Sequence, residues 1–308
     1  MNPRVLHIVP NLLIGGAQRT IATLSRAPHL DSRVVLIEKS LGAAIAWSDV
    51  VVLHAWRRQP TSPDLNVPEH LKGLTSRAVI LFNHDWEGRY DGIAKLVLVY
   101  SNFAAAHWQG PQRLAVLPGG ITLDRFSRVA ALRNWSRIGV VGRLSTLHPG
   151  KISPTTIASW GGINAGLFLV GGTGSQLSNL IEECTDSRFR FVGEIQPRLT
   201  HEFLERIDIF LYETEWHIES FGYVLLEALA AGCVVVSSNR GAIGELIQSG
   251  VNGYLFNARE EAVALCNTLL GDPFQCRAIS EMAALTAKSL PSDLMRSRFT
   301  AHVLSVLA

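Results

Sequence analysis

Residues 208–239 read DIFLYETEWHIESFGYVLLEALAAGCVVVSSN. The apolar run "DIFLYET" has strand length and leads into a polar loop. A helix-period segment opens at "ESFG", and "CVVVSSN" is a second apolar run. Strand, helix, strand in that order is a βαβ unit, which sets its two strands parallel. Parallel sheets are covered by helices on both faces, so their strands read as nearly unbroken Val, Ile and Leu runs.

The same alternation extends in both directions. Upstream, "RVLHIVP", "RVVLIE", "DVVVLHAW", "AVILFNHD", "KLVLVYS" and "LAVLPGG" are expected strands. A second series begins at "RIGVVGR" and continues through "GLFLVGG", "FRFVGE", "DIFLYET", "CVVVSSN" and "NGYLFNA". Two series of about six strands predict two similar α/β domains. The polar, arginine-rich "DRFSRVAALRNWSR" separates them, so the first domain is expected over 1–130 and the second over 131–290. The chain is helical in period from residue 258 onward, and its last segment, 291–308, is expected to form a helix crossing back to the first domain.

The chain has 308 residues, 47% hydrophobic and 18% charged, enough for two cores of ordinary size. No apolar run approaches the ~18 residues that span a bilayer. The start "MNPRVLHIVP" has no signal-peptide pattern. Cys184, Cys233, Cys266 and Cys276 lack metal or redox spacing, so a reduced, cytoplasmic protein is expected. Residues 1–134 carry 15 Lys+Arg against 9 Asp+Glu, and residues 135–308 carry 13 against 17. A basic first half suits an anionic acceptor or the inner face of a membrane, to which it would be peripheral. Ordinary surface variation explains the difference equally well. No nucleic-acid partner is expected.

In open parallel sheets, ligands bind outside the carboxyl ends of the strands. Gly15 and Gly16 follow the first strand and open a helix, where backbone N–H groups and the helix dipole suit a phosphate; a tight turn needs the same glycines. The spacing is not G-x-G-x-x-G, which disfavours a dinucleotide site. Arg143 follows "VVG", and Lys151 lies eight residues on; a guanidinium fork and an ammonium suit a diphosphate. "GGTGS" at Gly171–Ser175 is a second glycine-rich turn. With Ser220 as cap, the N–H groups of Phe221, Gly222 and Tyr223 open an anion site. Glu227 lies two turns further in, where its carboxylate can accept both hydroxyls of a ribose; a salt bridge to an arginine is the alternative. His7 and His54, taken singly, read as packed side chains. Trp86, next to "NHD", suits stacking on an acceptor.

E-S-F-G-x-V-L-L-E-A-L-A-x-G resembles the E-x7-E motif of retaining glycosyltransferases of family 4, which have the GT-B fold. The resemblance covers nearly the whole chain, through the Gly-Gly-x-Gln turn, "VVGRL", "GGTG", "FVGEI" and "VVVSSNRGAIGELIQSGVNGYLF". It implies two Rossmann-like α/β/α domains facing a central cleft, the first binding the acceptor and the second a nucleoside diphosphate sugar. Glu227 would bind the ribose, Arg143, Lys151 and Gly16 the diphosphate, and Phe221, Gly222 and Tyr223 the donor sugar and diphosphate. Glu194 would lie at the base. His84 and Glu219 would lie at the donor sugar as the catalytic pair, with Gln18 and Trp86 toward the acceptor. The reaction implied is sugar transfer to a hydroxyl of a saccharide, lipid-linked glycan or natural product, with the anomeric configuration kept and no cofactor. No D-x-D occurs, so no metal is expected.

Three departures stand out. Lys151 falls beyond the usual spacing from the arginine, with His148 nearer it. "LPGGI" has Gly119 where the family has asparagine. Little lies between Asp31 and Asp49. The shortened first half leaves room for a noncatalytic nucleotide-sugar-binding subunit of a glycosylation complex; a same-fold epimerase is a further alternative. A phosphorylase would need a pyridoxal lysine that no segment suggests.

Overall fold

A computed structural model describes residues 1–10, 16–37, 41–59, 62–126, 133–143, 154–173, 181–182, 184–214 and 217–308. The chain divides into two compact units. One comprises Met1–Gly120, Glu219–Phe221 and Leu290–Ala308; the other comprises Ile121–Ile218 and Gly222–Ser289.

The first unit is built on β1 (Arg4–Val9), β2 (Asp31–Leu36), β3 (Val50–Ala55), β6 (Ala78–Asn83), β7 (Leu96–Val99) and β8 (Leu114–Val116). They form one sheet in the order β2-β1-β3-β6-β7-β8, every neighbouring pair parallel. β3 and β7 are buried at every position, as apolar strands covered on both faces must be. The edge strand β2 is partly exposed, and Arg33 lays its guanidinium 3.9 Å over the Trp47 ring. β4 (Arg57–Gln59) and β5 (Ser62–Leu65) form a small antiparallel hairpin that the sequence pattern did not reveal.

Side chains alternate between the two faces of this sheet. Leu6, Ile8, Val51, Leu53, Val79, Leu81, Val97 and Val99 form a core on one face. His7, His54, Phe82 and Tyr100 occupy the opposite parity, and Phe299, from the helix Ser292–Leu307, packs on the His7 ring at 5.7 Å. That helix is fastened to the first unit by Thr300, which donates to the Pro28 carbonyl, and by Lys95, which donates to the Val306 carbonyl. Gly120, the last residue of the unit's first segment, sits where nothing larger fits. A Cβ at this position would lie 2.8 Å from Ser292 Cα and 3.0 Å from the Pro291 carbonyl oxygen. The chain passes to the second unit at Ile121.

The second unit holds β9 (Arg137–Arg143), β10 (Leu167–Thr173), β11 (Phe189–Gly193), β12 (Ile209–Tyr212), β13 (Val234–Ser238) and β14 (Tyr254–Phe256). The order is β11-β10-β9-β12-β13-β14, again wholly parallel. All twelve sheet strands coincide with the twelve apolar runs. The amino ends of β9 and β12 are tied by Asp208, whose side chain is fully buried. It accepts the N–H groups of Ser136 and Arg137 at 3.0 Å each, and the Arg137 guanidinium at 3.0 Å. Arg133, also buried, pairs with Asp208 and donates to the carbonyls of Ile207 and Ala231. Part of the arginine-rich stretch read as an inter-domain connection is thus an internal clamp. A buried carboxylate needs this compensation, since an isolated one is costly in a dry interior. Cys233, Cys266 and Cys276 are buried free thiols, as expected of small core residues. Among the described residues no helix is long and apolar enough to cross a membrane.

Candidate functional site

Strand order locates where a ligand is held. In the second unit, connections from β9 run to one side through β10 and β11, and β12 onward lies on the other. The order reverses between β9 and β12, which is the doubly wound dinucleotide-fold arrangement with its crevice at that point. Arg143 is the last residue of β9, at the carboxyl end of the strand, outside which open parallel sheets hold their ligands. Its side chain lies outside the described atoms, as do Gly15 and Lys151. The loop after β12 is held by Thr214, whose N–H donates to Ser238 Oγ and whose hydroxyl donates to the His217 carbonyl. Glu213, buried beside it, takes the Arg259 Nε–H at 2.6 Å. That carboxylate is committed to folding the loop, and sequence reasoning passed over it.

The helix Tyr223–Ala230 in this unit presents Leu225, Leu226, Ala228 and Leu229 to the core. Glu227 lies among them, only 9% exposed. Its N-terminus is capped by Gly222 at φ +88° and not by Ser220. Only glycine adopts that left-handed conformation cheaply, and the Gly222 carbonyl receives the N–H groups of Leu225 and Leu226. The expected serine cap is therefore corrected: Ser220 Oγ donates instead to the His84 carbonyl at 3.0 Å. In any helix the N–H groups of the first turn have no carbonyl one turn back to donate to, the general reason that helix starts attract anions. Glu194 follows β11 on an exposed loop, after Gly193.

In the first unit, order reverses between β1 and β3. His7 lies on β1 and His54 on β3, both fully buried. His7 Nδ1 is 2.9 Å from His54 Nε2, and His54 Nδ1 is 2.9 Å from His84 Nε2. His84 Nδ1 is 2.7 Å from the Tyr100 hydroxyl, which is 2.5 Å from Thr20 Oγ1. Thr20 donates to the carbonyl of Gly16, first residue of the helix Gly16–Leu24. Burial pushes His7 down to about 4 and His84 down to about 3. His54, flanked by both, is held well below the usual imidazole range by burial first and by its neighbours second. All three rings are neutral at physiological pH.

Asn83, fully buried, shapes the loop that carries His84. Its Oδ1 accepts the Asp85 N–H and its Nδ2 donates to the Glu87 carbonyl, each at 3.1 Å. Trp86 is half-buried and packs against Phe103 and His107 at 6.0 and 5.3 Å. Gln18 is exposed on its helix. Glu219 is buried, and Phe221 stacks on Tyr100 at 5.9 Å with 26° between planes. His84, Gly16, Ser220 and Phe221 therefore meet in one unit, with Tyr100 at the centre. Arg143, Glu194, Gly222, Tyr223 and Glu227 belong to the other. The residues that single-position reading missed are His7, His54, Tyr100 and Thr20.

Residues 160–286 match the family model described as "Glycosyl transferases group 1". A glycogen synthase of Mycobacterium tuberculosis is 28% identical over 216 residues, 66% of this chain and 45% of the synthase; the chain thus matches less than half of that relative's length. Among solved structures, a sucrose-phosphate synthase from Thermosynechococcus elongatus superposes with a TM-score of 0.78 at 15% identity, covering 98% of this chain and 99% of the other. HepE of Anabaena in complex with UDP gives 0.75 at 17% identity, with coverage of 98% and 99%. The chain has the GT-B fold, and its residues 160–286 match the model of the group 1 glycosyl transferases.

Proposed function

We propose that this protein is a retaining glycosyltransferase that moves a sugar from a nucleoside diphosphate sugar to a hydroxyl acceptor without a metal. The observation that carries the reading is that the group 1 segment, apart from Glu219–Phe221, lies in the second unit, and that Arg143 ends β9 at that unit's switch point. HepE, a neighbour of the same fold, has been solved with UDP.

In this reading Arg143 and Lys151 hold the diphosphate and the first turn after Gly222 adds N–H groups toward it. Glu227 accepts the ribose hydroxyls, and Glu194 lies toward the base. As the glycosidic bond breaks, negative charge grows on the leaving diphosphate. Fixed cations and helix N–H groups stabilise that charge more in the transition state than in the ground state, each by a few kcal/mol. The departing phosphate takes the acceptor proton on the same face, so the anomeric configuration is kept. Glu219 and His84 shape the donor-sugar side, and Gln18 and Trp86 lie toward the acceptor.

The test is product formation with a panel of nucleoside diphosphate sugars, followed by NMR of the anomeric proton in the product. Transfer with retained configuration supports the reading, and inverted configuration overturns the mechanism. Donor binding without turnover at any acceptor would instead identify a binding subunit. His84→Ala is expected to keep donor binding and lower transfer.

A further inference from the structure

The contacts from His7 to Gly16 have a direction that can be deduced. A carbonyl only accepts, so the Thr20 hydroxyl spends its single proton on Gly16. Thr20 must then accept from Tyr100, whose one proton is thereby used. Tyr100 must accept from His84, which places that proton on Nδ1. The bare His84 Nε2 accepts from His54 Nδ1–H, and the bare His54 Nε2 accepts from His7 Nδ1–H. The chain ends at His7 Nε2, a buried nitrogen with no hydrogen-bond partner. Reversal would break the Thr20 bond to Gly16 and put an N–H at that dead end, and buried N–H groups without acceptors are rare. Both ends are closed, a carbonyl at one and a lone pair at the other.

The sheet builds this arrangement. His7 is opposite Val52, so His54 lies two residues further along the adjacent strand. His54 is opposite Phe82, so His84 is again two residues further. Phe82 is opposite Leu98, which sets Tyr100 level with His84. The diagonal brings rings of neighbouring strands to 5.2 and 5.1 Å with planes within 26°.

We infer that Thr20, Tyr100, His54 and His7 are positioning residues that lock His84 as its Nδ1–H tautomer, with both ring nitrogens committed inside the protein. Burial, which keeps all three imidazoles neutral, supports the same state. The tautomer assignment stands on the contacts alone; its bearing on catalysis rests on the glycosyltransferase reading. There it means that His84 acts through its fixed ring edge and its loop, and does not take the acceptor proton.

The experiment is a long-range 1H–15N spectrum of protein with ring-15N histidine at neutral pH, the three signals assigned by their loss in His7→Gln, His54→Gln and His84→Gln. All three are expected to show a protonated Nδ1 and a bare Nε2, opposite to the form that predominates for imidazole in water. Tyr100→Phe keeps the ring that stacks on Phe221 and removes the hydroxyl. It is expected to shift the His84 signals most, then those of His54 and His7. An Nε2–H or doubly protonated ring at any of the three overturns the inference, as does a Tyr100→Phe spectrum identical to wild type. The spectra do not depend on turnover, so failure of the functional reading is seen separately, as absence of product from wild type. If wild type transfers sugar, Tyr100→Phe is expected to lower kcat by about 10–100-fold, the usual effect of removing a group that orients a working side chain, with little change in donor KM.

Discussion

The hydroxyl of Ser220 donates to the main-chain carbonyl of His84 at 3.0 Å. The short segment before Gly222 is thereby pinned to the loop after β6, and Phe221 follows by stacking on Tyr100. Glu219–Phe221 belong to the first unit, and the chain enters the second at Gly222.

This contact separates two roles for Ser220. An N-cap serine is replaced well by aspartate, because the cap needs only an acceptor. A donor to a carbonyl is not, since a carboxylate would face the carbonyl oxygen. Ser220→Ala is expected to cost about 1 kcal/mol of stability by urea denaturation. Ser220→Asp is expected to cost more. Equal stability of wild type and Ser220→Asp would restore the capping role.

Gly222 carries the cap through its backbone. At φ +88° an L-residue is strained, and a Cβ there would lie 3.0 Å from Leu225 Cδ1. Gly222→Ala should lower stability by about 1–2 kcal/mol. Circular dichroism melts of the two proteins, run side by side, will read the difference. An unchanged midpoint would mean that the helix does not start as described.

Asp208 anchors β9 and β12 in the second unit. Asp208→Asn leaves Arg133 buried beside a neutral amide, and Arg137 loses its ion pair. Breaking such a pair on one side costs about 3–5 kcal/mol. The expected result is a large loss of the urea midpoint with an unchanged nucleotide profile in whatever fraction stays folded. A loss below 1 kcal/mol would mean that water reaches the site.

The three histidines set a pH dependence. Their folded-state values lie below the unfolded value near 6.5, so the unfolded chain binds more protons between the two. Stability is therefore full above about pH 6.5 and falls as pH drops toward 4 and then 3. At about 1.4 kcal/mol per unit, His7 alone contributes a loss of roughly 2 kcal/mol by pH 5. Urea midpoints measured from pH 7.5 to 4.5 should show this slope, and His7→Gln should flatten it. A flat wild-type profile would contradict neutral, buried rings.

The strands were legible because parallel, two-sided burial demands apolar runs that nothing else in the chain imitates. The hairpin Arg57–Gln59 with Ser62–Leu65 was not, since all its residues but Leu65 are charged, polar or proline and carry no apolar alternation. Glu227 and Arg143 were legible as a carboxylate within an apolar helix and a cation at a strand end. The histidine chain was not. His7 and His54 each look like packed side chains, and only the register between β1, β3 and β6 shows that a two-residue diagonal lines them up. Tyr100 gives no signal of its own at the end of "KLVLVYS". The Ser220 cap failed because a serine three residues before a helix can donate as readily as it accepts, and the His84 carbonyl decided the matter.

In the proposed function the second unit binds a nucleoside diphosphate through Glu227. The most direct test is a thermal-shift titration of wild type, Glu227→Ala and Glu227→Gln with UDP, GDP, ADP and dTDP. At about 100 times the dissociation constant, a ligand adds about 2.7 kcal/mol to the folded state. One nucleotide is expected to stabilise wild type while both variants, folded but unresponsive, do not move. No response from wild type to any of the four, or an equal response from the variants, would contradict it.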